Sequence, residues 1–184
     1  VALGAGGDAA ERNHALQTTL AGCDRAAHLV DQLLALARLD AGAAVPAADA
    51  CDLHALAREV AADLAPAALE RRQDLELEDG GSDADRDATC AVSAPTAWLT
   101  MLLRNLLDNA LRYSPEGARV LVRVASTPGQ VVLEVHDSGP GMADADLQRL
   151  GERFFRVLGH SQSGSGLGWS IVRRIAEVTG AQVT

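Results

Sequence analysis

Apolar side chains near the amino terminus recur at the alternating intervals of a helix that packs in a bundle. Asp8 stands three residues before Glu11, a helix-start signal, and the pattern continues to Asp40. Intervals of four and three residues run through Leu16, Leu20, Cys23, Ala27, Val30, Leu34 and Ala37, and Leu29, Leu33 and Leu36 widen the stripe. One helix cannot bury such a stripe on itself, so we predict a long helix over residues 8–40 that needs partner helices.

A linker of small residues over 41–50 separates this helix from a region of mixed pattern. A second helix is predicted over 53–71, with Asp52 as its cap and with a kink or break at Pro66. Leucines that alternate with charged residues predict a short strand at 75–77, and a polar loop follows it.

The rest of the chain contains the signals of strands, a hairpin and two long helices. We predict a strand at 90–92 and then a helix over 95–113, which is capped by Ser93 or Thr96 and stopped by Ser114–Gly117. Two strands follow, at 119–125 and 130–136. The last elements are a short acidic helix near 143–150 and a helix over 167–179. Thr127-Pro-Gly129 predicts the hairpin turn, and Gly180 predicts the end of the last helix.

The composition is that of a globular chain with a core of Leu, Val and Ala. Hydrophobic residues make up 48% of the 184 residues, aromatic residues only 3%, and the net charge is −9. Because phosphate contacts along a nucleic acid need Lys and Arg, we predict no nucleic-acid partner. A nucleotide is not excluded, since a local site with a metal outweighs the global charge. No apolar run approaches the ~20 residues that span a bilayer.

The cysteines Cys23, Cys51 and Cys90 are odd in number and widely spaced, without a CxxC pair. A disulfide framework or a zinc site is therefore not indicated. We predict buried free thiols.

The helix over 95–113 carries an unusual polar stripe. Asn105, Asn109 and Arg112 are spaced by four and three residues and so share a face, opposite the apolar residues Leu99, Leu102, Leu103 and Leu106. Amide oxygens are hard ligands suited to Mg²⁺, and Arg suits phosphate. The alternative is a solvated face on which the Asn residues are incidental.

Three further segments combine glycine with polar or aromatic residues. Asp137-Ser-Gly-Pro-Gly141 follows a predicted strand, and its carboxylate can accept a hydrogen bond from an exocyclic amine such as that of adenine; a simple turn is the alternative. Gly164-Ser-Gly-Leu-Gly168 enters a helix, where free N–H groups can bind phosphate, or it is a flexible linker. Glu152-Arg-Phe-Phe-Arg156 supplies an aromatic anchor and a phosphate-binding Arg, or a small satellite core.

Each segment alone has more than one interpretation, but the order and spacing of all four together favour one. The series from Arg104-Asn-Leu-Leu-Asp-Asn through Asp137–Gly141, Glu152–Arg156 and Gly164–Gly168 resembles the N, G1, F and G2 boxes of sensor histidine kinases. The match continues through Trp169-Ser-Ile-Val172 and covers about the last 130 of the 184 residues. It implies an α+β fold of the Bergerat type, a sandwich in which a mixed sheet is backed by helices, preceded here by the long bundle helix.

The resemblance also implies roles for individual residues, with ATP and Mg²⁺ as cofactors. Asn109 ligates Mg²⁺ and Asn105 assists; Arg112, where the family often has Lys, contacts phosphate. Tyr113 lies against the adenine, Asp137 accepts from its amine, and Gly139 and Gly141 let the base approach. Residues 142–163 form a lid over the ATP, with Arg156 as a phosphate partner, and the loop of Gly164, Gly166, Leu167 and Gly168 wraps the triphosphate.

The same resemblance divides the chain into two regions. Residues 1–44 correspond to the second helix of the dimerisation and histidine-phosphotransfer region, and residues 45–184 to the catalytic ATP-binding domain without its last strands. The family's acceptor lies in a His-Glu/Asp-x-x-Ser/Thr-Pro motif on the preceding helix. That context is found at none of His14, His28, His54, His136 and His160. We therefore expect the acceptor helix to be absent from this piece and the piece not to phosphorylate itself.

For the intact protein the resemblance implies a two-component kinase. The γ-phosphoryl of ATP would pass to the acceptor histidine and then to an aspartate of a response-regulator receiver domain. A homodimer would form through the helix over 8–40, and the chain would be the cytoplasmic portion of an inner-membrane sensor.

Three other interpretations fit the sequence less well. A gyrase-type or mismatch-repair ATPase of the same fold needs a catalytic carboxylate where Asn105 stands. An anti-sigma-factor serine kinase does not account for the heptad helix. A degenerate binding scaffold is disfavoured because all the boxes are intact.

Overall fold

The computed structural model describes residues 9–40, 48–79, 90–152, 155 and 166–184. The elements, in chain order, are α1 (Ala9–Asp40), β1 (Asp49–Asp52), α2 (Leu53–Glu70), β2 (Asp74–Asp79), β3 (Ala91–Ala94), α3 (Thr96–Tyr113), β4 (Arg119–Thr127), β5 (Gln130–Asp137), α4 (Asp144–Leu147) and α5 (Gly168–Thr179).

Three of the strands form a mixed sheet in the order β2-β4-β5 within the described ranges. β2 runs parallel to β4, with Leu77 opposite Val122, whereas β4 and β5 form an antiparallel hairpin in which Val122 lies opposite Val135. The remaining two strands, β1 and β3, pair with each other in an antiparallel ribbon, with Cys51 opposite Val92.

Helices α2 and α3 cover one face of the sheet and form the main core with it. The alternation along β4 directs Val120, Val122 and Val124 into this core. The helical side contributes Leu53, Leu56, Ala57, Val60, Leu64, Ala68, Leu103, Leu107, Ala110 and Leu111. This arrangement confirms the predicted α+β fold with a mixed sheet backed by helices.

The other face of β4 carries exposed charges that pair across the sheet. Arg119 forms an ion pair with Glu76 on β2, and Arg123 lies 3.8 Å from Glu134 on β5. The hydrogen bond and the charge of Glu76 raise the pKa of the exposed Arg119 guanidinium. These pairs mark the solvent face of the sheet. The candidate residues lie elsewhere, on helix α3 and at the end of β5.

A second, smaller core joins α5 to α1 and α3. It contains the buried residues Leu36, Leu39, Leu167, Ile171 and Ile175, against which Trp98, Met101, Leu102 and Val178 pack. Because α3 contributes to both cores, it is apolar on two sides.

The predicted helices, the hairpin and the strands β2 and β3 are all present, with bounds shifted by a few residues at most. Asp52 caps α2 as predicted, accepting hydrogen bonds from the amides of His54 (2.9 Å) and Ala55 (3.3 Å). Gly180 ends α5 in the left-handed region with φ of 72°.

Three local predictions are wrong. The linker was predicted through residue 50, but β1 begins at Asp49, because it pairs with β3. Of the kink or break predicted at Pro66, the break is absent, and α2 continues to Glu70 with Leu64 and Ala68 buried on either side of the proline. Pro95 precedes α3 without a side-chain cap, so neither Ser93 nor Thr96 has that role.

The stripe of α1, predicted to need partner helices, is exposed within one chain, whereas the prediction of buried thiols is wrong for Cys23. Within one chain Leu16, Leu20, Val30 and Leu34 are each more than half exposed, and Cys23 is exposed while Cys51 is buried. Leu36, predicted to widen the stripe, is instead buried against α5. The helix therefore has two apolar faces, one packed within the chain and one open.

Candidate functional site

Helix α3 carries four of the candidate residues along one side. At 1.5 Å per residue, Asn105 and Tyr113 are separated by about 12 Å along the helix axis, close to the span of an extended nucleotide. Asn109 and Arg112 lie between them and are half-buried, while Tyr113 is 39% exposed. The site therefore has two ends, one at Asn105 and one at Tyr113.

At the first end, Asn105 is almost fully buried, with only 4% of its surface exposed. Its Nδ2 donates to the carbonyl of Met101 at 2.8 Å, one turn earlier in α3. Its Oδ1 accepts a hydrogen bond of 2.9 Å from Nε2 of Gln32 on α1. The amide is thus held between two helices rather than presented to solvent.

Gln32 was not singled out by the sequence reasoning, although a signal for it exists. Gln32, Leu36 and Leu39 are spaced by four and three residues, so they form a second stripe on α1 beside the predicted one. All three are buried. A glutamine in an otherwise apolar, inward-facing stripe indicates a polar partner, and that partner is Asn105.

The amino terminus of α5 lies against the two asparagines of α3. A Cβ added to Gly168 would come within 3.0 Å of Asn105 Oδ1, 3.5 Å of Asn109 Nδ2 and 3.6 Å of Asn109 Oδ1. Leu167, the residue at the N-cap of α5, provides no side-chain cap, and Gly166 just before it has φ of 69°. An uncapped helix start beside two amides suits an anion.

At the other end, the loop after β5 packs against the end of α3. The amide of Gly139 donates to Asp137 Oδ1 at 2.8 Å, and Ser114 Oγ lies 3.5 Å from the same oxygen. A Cβ on Gly139 would lie 2.7 Å from Asp137 Oδ1 and 3.4 Å from the backbone oxygen of Tyr113. Glycine is therefore required by close approach, and Ser114, predicted only as a helix stop, helps to orient Asp137.

Gly141 needs to be glycine for a different reason. A Cβ there would have open space, but the residue adopts φ of 69°. The loop is tied to the sheet by Ser138, whose amide donates to the Arg119 carbonyl at 3.0 Å and whose hydroxyl accepts from the Arg119 amide at 2.9 Å. The loop therefore leaves the end of β5 in a defined direction.

Part of the predicted lid is held by contacts of Arg149, Gly151, Glu152 and Phe155. The guanidinium of Arg149 lies 4.2 Å from the centre of the Phe155 ring and 3.1 Å from Glu152. Gly151, with φ of 109°, packs against the side chain of Arg173 on α5. Arg156 and Gly164 lie outside the residues that the structure describes.

The donor set fits a hard cation better than a soft one. Among the residues that the structure describes, no three His, Cys, Asp or Glu side chains cluster closely enough to hold a metal ion. The candidate ligands are the amide oxygens of Asn105 and Asn109, beside a glycine whose missing side chain leaves space. Oxygen donors and incomplete protein coordination are what Mg²⁺ accepts when it is bound together with phosphates.

A sequence profile described as histidine kinase-, DNA gyrase B- and HSP90-like ATPase matches residues 95–184. The sensor protein QseC of Salmonella typhi is 40% identical over the whole chain, which spans only 39% of that protein. The solved cytoplasmic segment of histidine kinase QseC shares 31% identity and a TM-score of 0.53, covering 85% of this chain and 80% of that one.

A further solved structure is that of full-length ShkA in complex with AMPPNP. It shares 27% identity and a TM-score of 0.75, covering 92% of this chain and 34% of that one. Across the described ranges, no helix combines the length and apolar character that a membrane crossing requires.

Proposed function

Because this chain belongs to the sensor histidine kinase family, we propose that it is the ATP-binding kinase portion of a two-component sensor. The γ-phosphoryl of ATP passes to a histidine and from there to an aspartate of a response-regulator receiver domain. The chain spans 39% of the length of its relative QseC, so the acceptor histidine and the sensing part are assigned to the remainder of the protein.

The observation that carries this proposal is the position of the two ends of the site on one helix. The amide pair Asn105 and Asn109 lies against the uncapped start of α5, and Asp137 with Gly139 packs against the other end of α3. A nucleotide laid along α3 would place its base at Asp137 and its phosphates at α5. The relative ShkA was solved with AMPPNP, which supports a nucleotide as the ligand.

Each residue has a distinct role in the proposed site. The Asp137 carboxylate, which Gly139 and Ser114 hold in place, accepts a hydrogen bond from the exocyclic amine of adenine. Tyr113 lies beside the base. Asn109, with Asn105, holds Mg²⁺, which neutralises phosphate charge when bound. Arg112 contacts phosphate, as does Arg156 from the lid. Gly141 lets the base approach. The triphosphate is wrapped by the loop of Gly164, Gly166, Leu167 and Gly168.

The chemistry needs little from the protein beyond position and charge. Phosphoryl transfer proceeds in line, with the attacking nitrogen of the acceptor histidine and the leaving β-phosphate oxygen of ADP on opposite sides of the phosphorus. The backbone N–H groups at the start of α5 orient the phosphates, and the lid excludes water, which would otherwise compete with the histidine. A gyrase-type hydrolysis is less well supported, because the neutral Asn105 stands where a carboxylate is needed.

The proposal extends to the arrangement of the intact protein. Residues 1–44 belong to the dimerisation and phosphotransfer region and residues 45–184 to the catalytic domain. A homodimer forms through the exposed apolar face of α1, and the chain lies on the cytoplasmic side of an inner-membrane sensor. The exposed Leu20 and Leu34 on that face support the dimer.

Calorimetric titration with Mg-ATP tests the nucleotide site. The chain is expected to bind one nucleotide, and Asn109→Ala is expected to weaken Mg-ATP binding about ten-fold, or ~1.4 kcal/mol, with a much smaller effect when Mg²⁺ is left out. Asp137→Asn is expected to weaken binding with or without Mg²⁺, because it alters the contact with the base.

Asn13→Ala is the matched control, since Asn13 is exposed on α1. The affinity of this variant for Mg-ATP should equal that of the unchanged chain. A titration of the unchanged chain without saturable heat would contradict the proposed function. An Asn109→Ala effect that is the same without Mg²⁺ would contradict the metal role.

A further inference from the structure

Helix α1 packs beside the candidate site through two groups of contacts. Leu36 and Leu39 are buried against Ile171 and Ile175 of α5. At the end of α1, Arg174 Nη2 donates to the Leu39 carbonyl at 3.0 Å, and its Nε lies 3.4 Å from Asp40 Oδ1. Gln32, which lies one turn before Leu36 on α1, donates a hydrogen bond to Asn105.

The Gln32–Asn105 hydrogen bond is enclosed. Gln32 is 6% exposed and Asn105 is 4% exposed. Both ends of the Asn105 amide are used, Nδ2 by Met101 and Oδ1 by Gln32, and α5 approaches the same oxygen at Gly168. The oxygen is therefore covered from two sides by α1 and α5.

This placement conflicts with the metal role proposed for the same oxygen. Mg²⁺ requires near-ideal octahedral geometry and retains several waters. An amide oxygen that accepts a hydrogen bond in a buried helix junction has neither the open direction nor the space for a hydrated cation. Asn105 can assist Asn109 only after the contact with Gln32 has been broken.

We propose that Gln32 regulates the nucleotide site by competing with Mg²⁺ for the side-chain oxygen of Asn105, an inference that rests on the proposed function. With α1 docked, Mg-nucleotide affinity is low; when α1 shifts away, Asn105 is released and affinity rises. By thermodynamic linkage, Mg-nucleotide must weaken the docking of α1 by the same factor.

The two faces of α1 make such a shift possible. Gln32, Leu36 and Leu39 contact the catalytic domain, whereas Leu20 and Leu34 are exposed on a different face. A partner helix on the exposed face that rotates or translates α1 would therefore move Gln32 relative to Asn105. Helix shifts of one to two ångströms are a common switching motion, and about 1 Å is enough to lengthen a 2.9 Å hydrogen bond beyond its range.

The test replaces Gln32 with Met, which keeps the length of the side chain but cannot donate. Titration with Mg-AMPPNP is expected to give a dissociation constant about two- to ten-fold lower than that of the unchanged chain, the range that one net hydrogen bond accounts for. With AMPPNP and no Mg²⁺ the two chains should bind alike. Gln17→Met on the exposed surface of α1 is the matched control and should change neither value.

A second measurement uses the unchanged chain and does not depend on a variant that folds. Saturation with Mg-AMPPNP is expected to increase amide hydrogen exchange in residues 29–40 of α1, whereas AMPPNP alone should not. Leu36→Ala, which weakens the docking contact with α5, is expected to tighten Mg-AMPPNP binding as Gln32→Met does.

Equal or weaker Mg-AMPPNP binding by Gln32→Met, with α1 exchange unaffected by Mg-AMPPNP, would overturn the competition and leave the nucleotide site standing. Absence of nucleotide binding by both chains would overturn the proposed function, and the competition with it.

Discussion

At the scale of single residues, the chemistry of the site follows from the sequence but its accessibility does not. The spacing of Asn105 and Asn109 indicates a shared helical face, and the structure places both beside Gly168. That Asn105 is buried depends on Gln32, a residue far away in the chain on another helix. The spacing of Gln32 with Leu36 and Leu39 indicates a polar partner but does not identify it, so the sequence predicts the polar face of α3 and misses its contact with Gln32.

Gly139 illustrates a residue whose identity is set by space. In Gly139→Ala the new Cβ would lie 2.7 Å from Asp137 Oδ1 and 3.4 Å from the Tyr113 oxygen. Because the closer neighbour is a side-chain oxygen and the distance to the Tyr113 oxygen is an ordinary contact, the Asp137 carboxylate must turn away while the loop stays in place. We expect Mg-ATP affinity to fall about ten-fold, or ~1.4 kcal/mol, with a smaller loss in the free energy of unfolding. Calorimetric titration and denaturant unfolding measure the two effects.

Gly141→Ala is the comparison, since Gly141 has open space and only its φ of 69° is unfavourable for alanine. Its cost in the free energy of unfolding should be about 1 kcal/mol, and its effect on Mg-ATP affinity should be smaller than that of Gly139→Ala. If Gly139→Ala binds Mg-ATP as tightly as the unchanged chain, Asp137 is not held beside Gly139 as described.

At the scale of elements, the helices and the hairpin are predictable because their signals are local. The alternation in β4 and β5 and the turn at Gly129 lie within a few residues of each other. β1 was missed because Asp49–Asp52 has no β-branched residue, and only its pairing with β3 makes it a strand. The break that was considered at Pro66 is absent, since burial of Leu64 and Ala68 keeps α2 continuous.

The open face of α1 leads to a prediction about assembly. Leu20 is 62% exposed and Leu34 is 51% exposed, so a partner helix would remove this apolar surface from water at ~25 cal/mol per Å². Leu20→Asp combined with Leu34→Asp is expected to abolish self-association, because two charges would be buried in the contact. Sedimentation over a range of concentrations measures it, and nucleotide titration should be almost unchanged.

The control adds the same two charges outside the stripe, at the exposed positions His14 and Gln17, as His14→Asp with Gln17→Asp. This variant should associate as the unchanged chain does. A dimer that persists in the leucine double variant would place the assembly surface on the catalytic domain instead.

At the scale of the whole molecule, the sequence predicts the fold class through its family resemblance, and the mixed sheet agrees with it. The division into two cores was not predictable, because it depends on α3 being shared between the sheet side and α5. Residues of α3 that look equally apolar in sequence enter different cores. Which one each enters is decided by partners that are distant in the chain.

The parallel pairing of β2 with β4 has a consequence for how the chain folds. β4 and β5 are joined by a tight turn, whereas β3 and the whole of α3 intervene between β2 and β4. Closing that long loop costs entropy before the pairing contributes any stability, so the hairpin should form first and β2 should join late. Pulse-labelled hydrogen exchange during refolding should protect β4 and β5 before β2; simultaneous protection would exclude this order. The time that a new chain needs to complete its sheet is then set by a strand that contributes no residue to the candidate site.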